Sequence, residues 1–161
     1  MTDNSSSNQT DGVVDSIIII GIDPAKINIG ITILQHSHGA PPIALYTGRT
    51  PYKSDNYFVA HLLSLIRTYG QRLPVKIVIE RQPHNSSISS NMRYVEGYFR
   101  ALGASTVMRM AMTHGLHIAT YKDRKNYSLQ TAIDRASQVE CPQVLLTALS
   151  NDDRKHDIAD S

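Results

Sequence analysis

Four carboxylates stand at places where buried structure gives way to solvent or where helical spacing pairs them. Asp23 follows the β-branched run Ser16 to Ile22, Glu80 follows the run Val75 to Ile79, and Asp157 and Asp160 lie three residues apart near the end of the chain. A carboxylate at the end of a buried strand has a position set by the backbone. Two acids at i and i+3 on a helix share a face, and their repulsion asks for a compensating cation. Hard oxygen donors with room left for water suit Mg²⁺ or Mn²⁺. Two such ions about 4 Å apart can activate a water and stabilise the leaving oxygen of a phosphodiester. Singly, each acid has a plainer reading. Asp23-Pro24 is a common turn pair, Glu80 could be a solvent-pointing strand end, and Asp157 and Asp160 could be a solvated helix face. Only convergence makes them a site.

The elements that would bring them together are read from hydrophobic period. Ser16 to Ile22 reads as a buried strand, broken at Asp23-Pro24. Ile27, Ile29, Ile31 and Ile33 alternate with Asn28, Gly30 and Thr32, a period-two strand that forms a hairpin with the first. Gly39-Ala40-Pro41-Pro42 is a turn, and Ile43 to Thr47 a third strand. Asp55 to Tyr69 carries Phe58, Val59, Leu62, Leu63, Leu65 and Ile66 at helical spacing, with Ser54 or Asp55 as cap and Gly70 as stop. Val75 to Ile79 is the fourth strand. Ser86 or Ser87 caps a long helix with Ile88, Met92, Val95, Phe99 and Leu102 on one face, expected to continue to His114 and stop at Gly115. Leu116 to Tyr121 is expected to be the fifth strand, Tyr127 to Ser137 a helix, and Asn151 or Asp152 the start of a last helix cut short by the chain end. The order β-β-β-α-β-α-β-α-α is a mixed α/β pattern, and it places the first and fourth strands, with their acids, side by side. The last helix could then carry its Asp pair across them.

Composition bounds the alternatives. The chain has 161 residues, 41% of them hydrophobic, which suits one soluble globular domain with a sizeable core. The stretch 1–15, rich in Ser, Asn, Thr and Asp, is expected to be a disordered tail ahead of a domain spanning 16–161. It has neither the basic and apolar regions of a secretory signal nor the arginines of a transit peptide. The longest apolar run is Ile17 to Ile20, too short to span a bilayer. These features favour an intracellular, soluble protein in a cytoplasmic, nuclear or viral rather than mitochondrial setting, with no membrane partner. The single cysteine, Cys141, excludes an intrachain disulfide and a cysteine-based zinc site. Net charge is +2, but three of the 14 acids lie in the tail, leaving 16 basic residues against 11 acidic in the body. A basic surface around an acidic pocket suits a polyanionic substrate.

Three segments then resemble a known family. Gly21-Ile22-Asp23-Pro24 with Gly30 in the next strand resembles the GIDPG strand of RuvC-type Holliday junction resolvases, in the RNase H-like superfamily. Ile79-Glu80-Arg81-Gln82 resembles their fourth-strand I-E-x-Q, closest to the mitochondrial and poxvirus-type branch. Lys155-His156-Asp157-Ile158-Ala159-Asp160-Ser161 resembles that branch's K-x-D-x-A-D-[AS]. The resemblance spans Ile17 to Ser161 and implies an RNase H-like fold: a mixed five-stranded sheet, three antiparallel strands and then alternating helices and strands, with helices on both faces. It implies Asp23, Glu80, Asp157 and Asp160 as catalytic metal ligands for two Mg²⁺ ions, with Mn²⁺ as substitute and no other small-molecule cofactor. The implied activity is structure-selective cleavage of four-way DNA junctions by a homodimer. His156 stands where that branch often has another Asp, which makes it an additional candidate ligand or base. The chain also stops one residue after Asp160, where family members continue their last helix.

Substrate-facing candidates surround the acids. Lys26 lies beside Asp23. Arg81, Gln82, His84 and Asn85 follow Glu80, and a polar stretch from Ser86 to Arg93 opens a helix whose free N–H groups could hold a phosphate. Lys122, Arg124 and Lys125 form a basic cluster after the fifth strand, for which the plainer reading is a solvated charge run. Tyr94, Tyr98 and Phe99 read as core or dimer contacts rather than base-stacking residues. The alternatives to a junction resolvase are an RNase H-like nuclease acting on RNA–DNA hybrids or flaps, and a non-catalytic nucleic-acid-binding relative. The second would be expected to have lost an acid. An actin-like ATPase would need a second phosphate-binding repeat, for which 161 residues leave no room.

Overall fold

Isoleucine dominates the first two strands, and the fold follows from where those side chains point. The computed structural model describes residues 16–70, 72–82, 86–110, 117 and 120–151. Strands β1 (Ser16–Asp23), β2 (Asn28–Ser37), β3 (Ile43–Pro51), β4 (Val75–Glu80) and β5 (Ser105–Arg109) form one sheet in the order β3-β2-β1-β4-β5. β1, β2 and β3 pair antiparallel, whereas β4 runs parallel to both β1 and β5. Parallel neighbours need a crossover. β2, β3 and helix α1 (Asp55–Tyr69) make the first, and helix α2 (Ser87–Ala101) makes the second.

Side chains alternate across a strand, and register extends one face over the sheet. Ile20 pairs with Ile33 on one side and with Ile77 on the other; Ile22 pairs likewise with Ile31 and Ile79. All six are buried in one cluster with Phe58, Val59, Leu62 and Leu65 of α1 and Met92, Val95 and Phe99 of α2. Each such side chain contributes about 1.5–3 kcal/mol on burial. α1 and α2 therefore cover the same sheet face, and the remaining face carries Ile19, Gly21 and Asp23. A bulge in β3 at Leu45 resets the alternation, so that Tyr46 pairs with Ile33 and Ala44 with Leu34. Beyond the edge strand, helix α4 (Gln143–Asn151) packs on β3, tied there by the Ile43–Glu140 bridge, and meets α3 (Tyr121–Ala136). Leu149 of α4 lies in a second small cluster with Leu129, Ala132 and Ile133 of α3.

The element order is the one expected, and the caps are those read from sequence: Ser54 accepts from the Tyr57 N–H, and Ser86 from the Ser89 N–H. Five boundaries differ. β3 continues four residues past Thr47 to Pro51. α2 ends at Ala101 rather than His114, because Gly103 takes a left-handed conformation (φ +86°) and closes a Schellman turn. In that turn the Gly103 N–H donates to the Arg100 carbonyl and the Ala104 N–H to the Phe99 carbonyl. Leu102 is consequently 60% exposed instead of lying on the helix's apolar stripe. Val107 and Met108, expected on that helix, belong to the fifth strand, which is Ser105–Arg109 and not Leu116 to Tyr121. The helix expected from Tyr127 starts at Tyr121, capped by Thr120, and a helix already forms at Gln143, ahead of the expected start at Asn151 or Asp152. His114, Gly115 and the expected last-helix residues beyond 151 lie outside the described residues.

Candidate active site

The acids at the ends of β1 and β4 are neighbours. The β1–β4 register pairs Ile22 with Ile79, and Asp23 and Glu80 are each the next residue in strands that run the same way. Adjacent strands lie about 4.8 Å apart. Ile22 and Ile79 point into the core, so Asp23 and Glu80 both point to the opposite face. Asp23 is only 6% exposed, whereas Glu80 is half-buried. Two carboxylates so close, one of them buried, cost desolvation and repulsion unless positive charge is near. This is the chemistry of a divalent-cation site, with hard oxygen donors on rigid strand ends.

The same register extends the row to both edges of the sheet. Asp23 pairs with Gly30, Gly30 with Arg49, and Glu80 with Arg109. Read across β3-β2-β1-β4-β5, the row is Arg49, Gly30, Asp23, Glu80, Arg109. Gly30, between Asp23 and Arg49, carries no side chain and is buried. The Arg81 N–H donates to the Arg109 carbonyl at 2.7 Å, which holds the start of the segment after Glu80 against β5. Arg49 and Arg109 were not anticipated from the sequence. The usable signal was the pairing register, obtained by counting outward from each turn.

The other candidates sit around this row. Lys26 is exposed in the β1–β2 connection and, with Ala25, Tyr52, Ser87, Ile88, Asn91 and Met92, lines a cavity of about 140 Å³. The Tyr52 N–H donates to the Ile27 carbonyl at 2.8 Å, and the Tyr52 hydroxyl donates to the Asp55 carboxylate. Burial and that carboxylate hold the Tyr52 hydroxyl well above the usual phenol range. Arg81 is exposed and Gln82 half-buried directly after β4. Arg93 is exposed on α2 between buried Met92 and Val95, so it faces away from the core.

Lys122, Arg124 and Lys125 do not follow the fifth strand directly, as the sequence led us to expect. They lie in the first turns of α3, with Lys122 and Arg124 exposed and Lys125 half-buried. The Lys125 Nζ stands 6.0 Å from the Tyr121 ring centre. Among the described residues no group of three or more His, Cys, Asp or Glu gathers, so the structure contributes two acids to the expected cluster. Asp157, Asp160, His156, His84 and Asn85 lie outside the described residues. No described helix is long and apolar enough to cross a membrane.

Solved structures that resemble this chain in fold include two of a fowlpox virus protein. The crystal structure of the fowlpox virus Holliday junction resolvase matches with a TM-score of 0.70 at 20% identity, over 89% of this chain and 91% of that one. The structure of the fowlpox virus resolvase with its substrate Holliday junction DNA matches with a TM-score of 0.65 at 15% identity, over 88% and 91%. No curated protein matches the chain. The sheet order thus belongs to an architecture already known, and a family model described as Poxvirus A22 protein matches residues 17–161: the chain belongs to that family.

Proposed function

We propose that this chain is a structure-selective endonuclease that resolves four-way DNA junctions by metal-dependent phosphodiester hydrolysis. The observation that carries the reading is the Asp23–Glu80 pair, side by side at the ends of two parallel strands. It occurs in a fold shared with the fowlpox virus resolvase. Asp157 and Asp160 complete the ligand set in this reading. Mg²⁺, with Mn²⁺ as substitute and two ions per site, supplies Lewis acidity and charge for the developing oxyanions. The protein's part is to hold the carboxylates rigidly, since strand ends move less than loops. The basic surface, including Lys26, Arg81, Arg93 and the start of α3, supplies affinity for the phosphate backbone.

A homodimer follows from the substrate rather than from α2. A four-way junction has approximate two-fold symmetry, and two symmetric cuts need two sites at a fixed separation, which a C₂ dimer provides. α2, expected to run on to His114 with Tyr94, Tyr98 and Phe99 as core or dimer contacts, ends at Ala101. Its stripe of Met92, Val95 and Phe99 is spent on the sheet, which leaves Tyr94, 45% exposed, on its outer face. A viral or cytoplasmic setting accords with the family.

The deciding experiment offers the protein a synthetic four-way junction, a linear duplex and an RNA–DNA hybrid, each with and without Mg²⁺. Paired symmetric nicks in the junction, dependent on Mg²⁺, are the expected result. Preferential cleavage of the hybrid would transfer the chain to the RNase H-like alternative. Junction binding without cleavage in any divalent ion would make it a non-catalytic relative.

A further inference from the structure

The acid pair sits in the middle of a row whose two ends are arginines, and the proposed chemistry at the acids makes no use of them. Arg49 lies two strands from Asp23, across Gly30, and Arg109 lies one strand from Glu80. All of these side chains except the absent one of Gly30 leave the same sheet face, because Thr50 and Met108, their neighbours in sequence, belong to the opposite one. Thr50 pairs with buried Ile29, and Met108 pairs with Ile79 and packs on the core. Strand spacing puts the two arginine Cα atoms about 19 Å apart along the row, a span comparable to the width of a nucleic-acid duplex. Neither residue is in a loop, so each guanidinium leaves a fixed base. Arg offers five donors in a planar fork that matches phosphate oxygens, and it keeps its charge at any working pH.

We infer that Arg49 and Arg109 bind the phosphates on either side of the one presented to Asp23 and Glu80, and so position the substrate backbone across the sheet end. The inference rests on the phosphodiesterase reading. The competing role is purely internal, with the arginines serving only as counter-charges that let two carboxylates coexist.

The two roles separate in one set of measurements on the full chain. Junction binding is titrated without divalent ion at several salt concentrations for the wild type, Arg49→Gln and Arg109→Gln; cleavage with Mg²⁺ and thermal melting accompany each. As phosphate contacts, either loss weakens junction binding about tenfold and lowers the magnitude of the log–log salt slope by about 1. The melting temperature changes little. Arg49→Lys and Arg109→Lys keep the slope but bind more weakly than wild type, because a point charge replaces the fork. If Arg49→Gln or Arg109→Gln fails to fold, the Lys variant decides alone, and wild-type affinity there overturns the inference. A wild type that cuts junctions, beside Gln variants with unchanged salt slopes and lowered melting temperatures restored by Mg²⁺, overturns it in favour of the counter-charge role. A wild type that neither binds nor cuts branched DNA instead overturns the nuclease reading beneath it.

Discussion

Asp23 and Glu80 stand next to each other across the β1–β4 junction, one residue beyond the Ile22–Ile79 pair and on the face opposite the hydrophobic core. Their proximity depends on parallel pairing: in an antiparallel pair, acids at the two C-terminal ends would lie at opposite ends of the strands. The core that holds the pair is the isoleucine layer directly behind it, where Ile20, Ile22, Ile77 and Ile79 are essentially inaccessible to solvent. The carboxylates are thus carried on strand ends backed directly by the buried core.

Replacing either acid should separate chemistry from binding. Asp23→Asn or Glu80→Gln is expected to lower junction cleavage by at least about a thousandfold, since a lost metal ligand removes several kcal/mol of transition-state stabilisation. Affinity for the junction should persist, because it comes from phosphate contacts. Gel-shift and cleavage assays on the same junction check both, and undiminished cleavage by either variant would remove that acid from the site.

Neutralising the start of α3 should change affinity more than rate. Lys122→Gln, Arg124→Gln and Lys125→Gln combined are expected to weaken junction binding and to flatten its salt dependence by up to about three slope units. Cleavage at saturating protein should stay near wild type. An unchanged slope would place the DNA surface elsewhere.

Two glycines in and after α2 should respond to alanine with opposite signs. Gly97 lies within the helix, and a Cβ there would meet nothing within 4 Å. Gly97→Ala is expected to stabilise the fold by about 0.5–1 kcal/mol through helix propensity. Gly103 has equally open surroundings but a φ of +86°, so Gly103→Ala should destabilise by about 1–2 kcal/mol through backbone strain alone. Urea unfolding of the two variants provides the comparison, and shifts of the same sign would contradict the Schellman assignment.

His61 should make stability fall in mild acid. Its Nε2 is buried without a hydrogen-bond partner, and burial lowers the imidazole pKa below its usual 6.5. The folded protein therefore binds a proton less readily than the unfolded chain. Its contribution is fully present above pH 6.5 and is lost as pH falls from there through the folded value. Melting temperatures measured from pH 7.5 to 5 should drop less steeply for His61→Leu than for wild type. Parallel curves would show that His61 protonates equally in both states.

What the sequence determined by itself was local. The isoleucine alternation, the Asp-Pro break, the Ser54 and Ser86 caps and the placing of Asp23 and Glu80 at strand ends depend on residues a few positions apart. Periodicity and capping express just such short-range physics, and the resemblance of the Gly21 and Ile79 segments to a resolvase family rested on the same short stretches. The boundary between α2 and β5 escaped because Leu102 continues the apolar stripe of Met92, Val95 and Phe99, which masked the stop that Gly103 imposes one residue later. Arg49 and Arg109 escaped for a different reason. Nothing near either residue in sequence marks it, and each joins the acid row only through strand pairings, across Gly30 to Asp23 and across β4 to Glu80. Strand register is set by side chains packing between segments distant along the chain, so which charges face the acids was a decision only the tertiary structure could make.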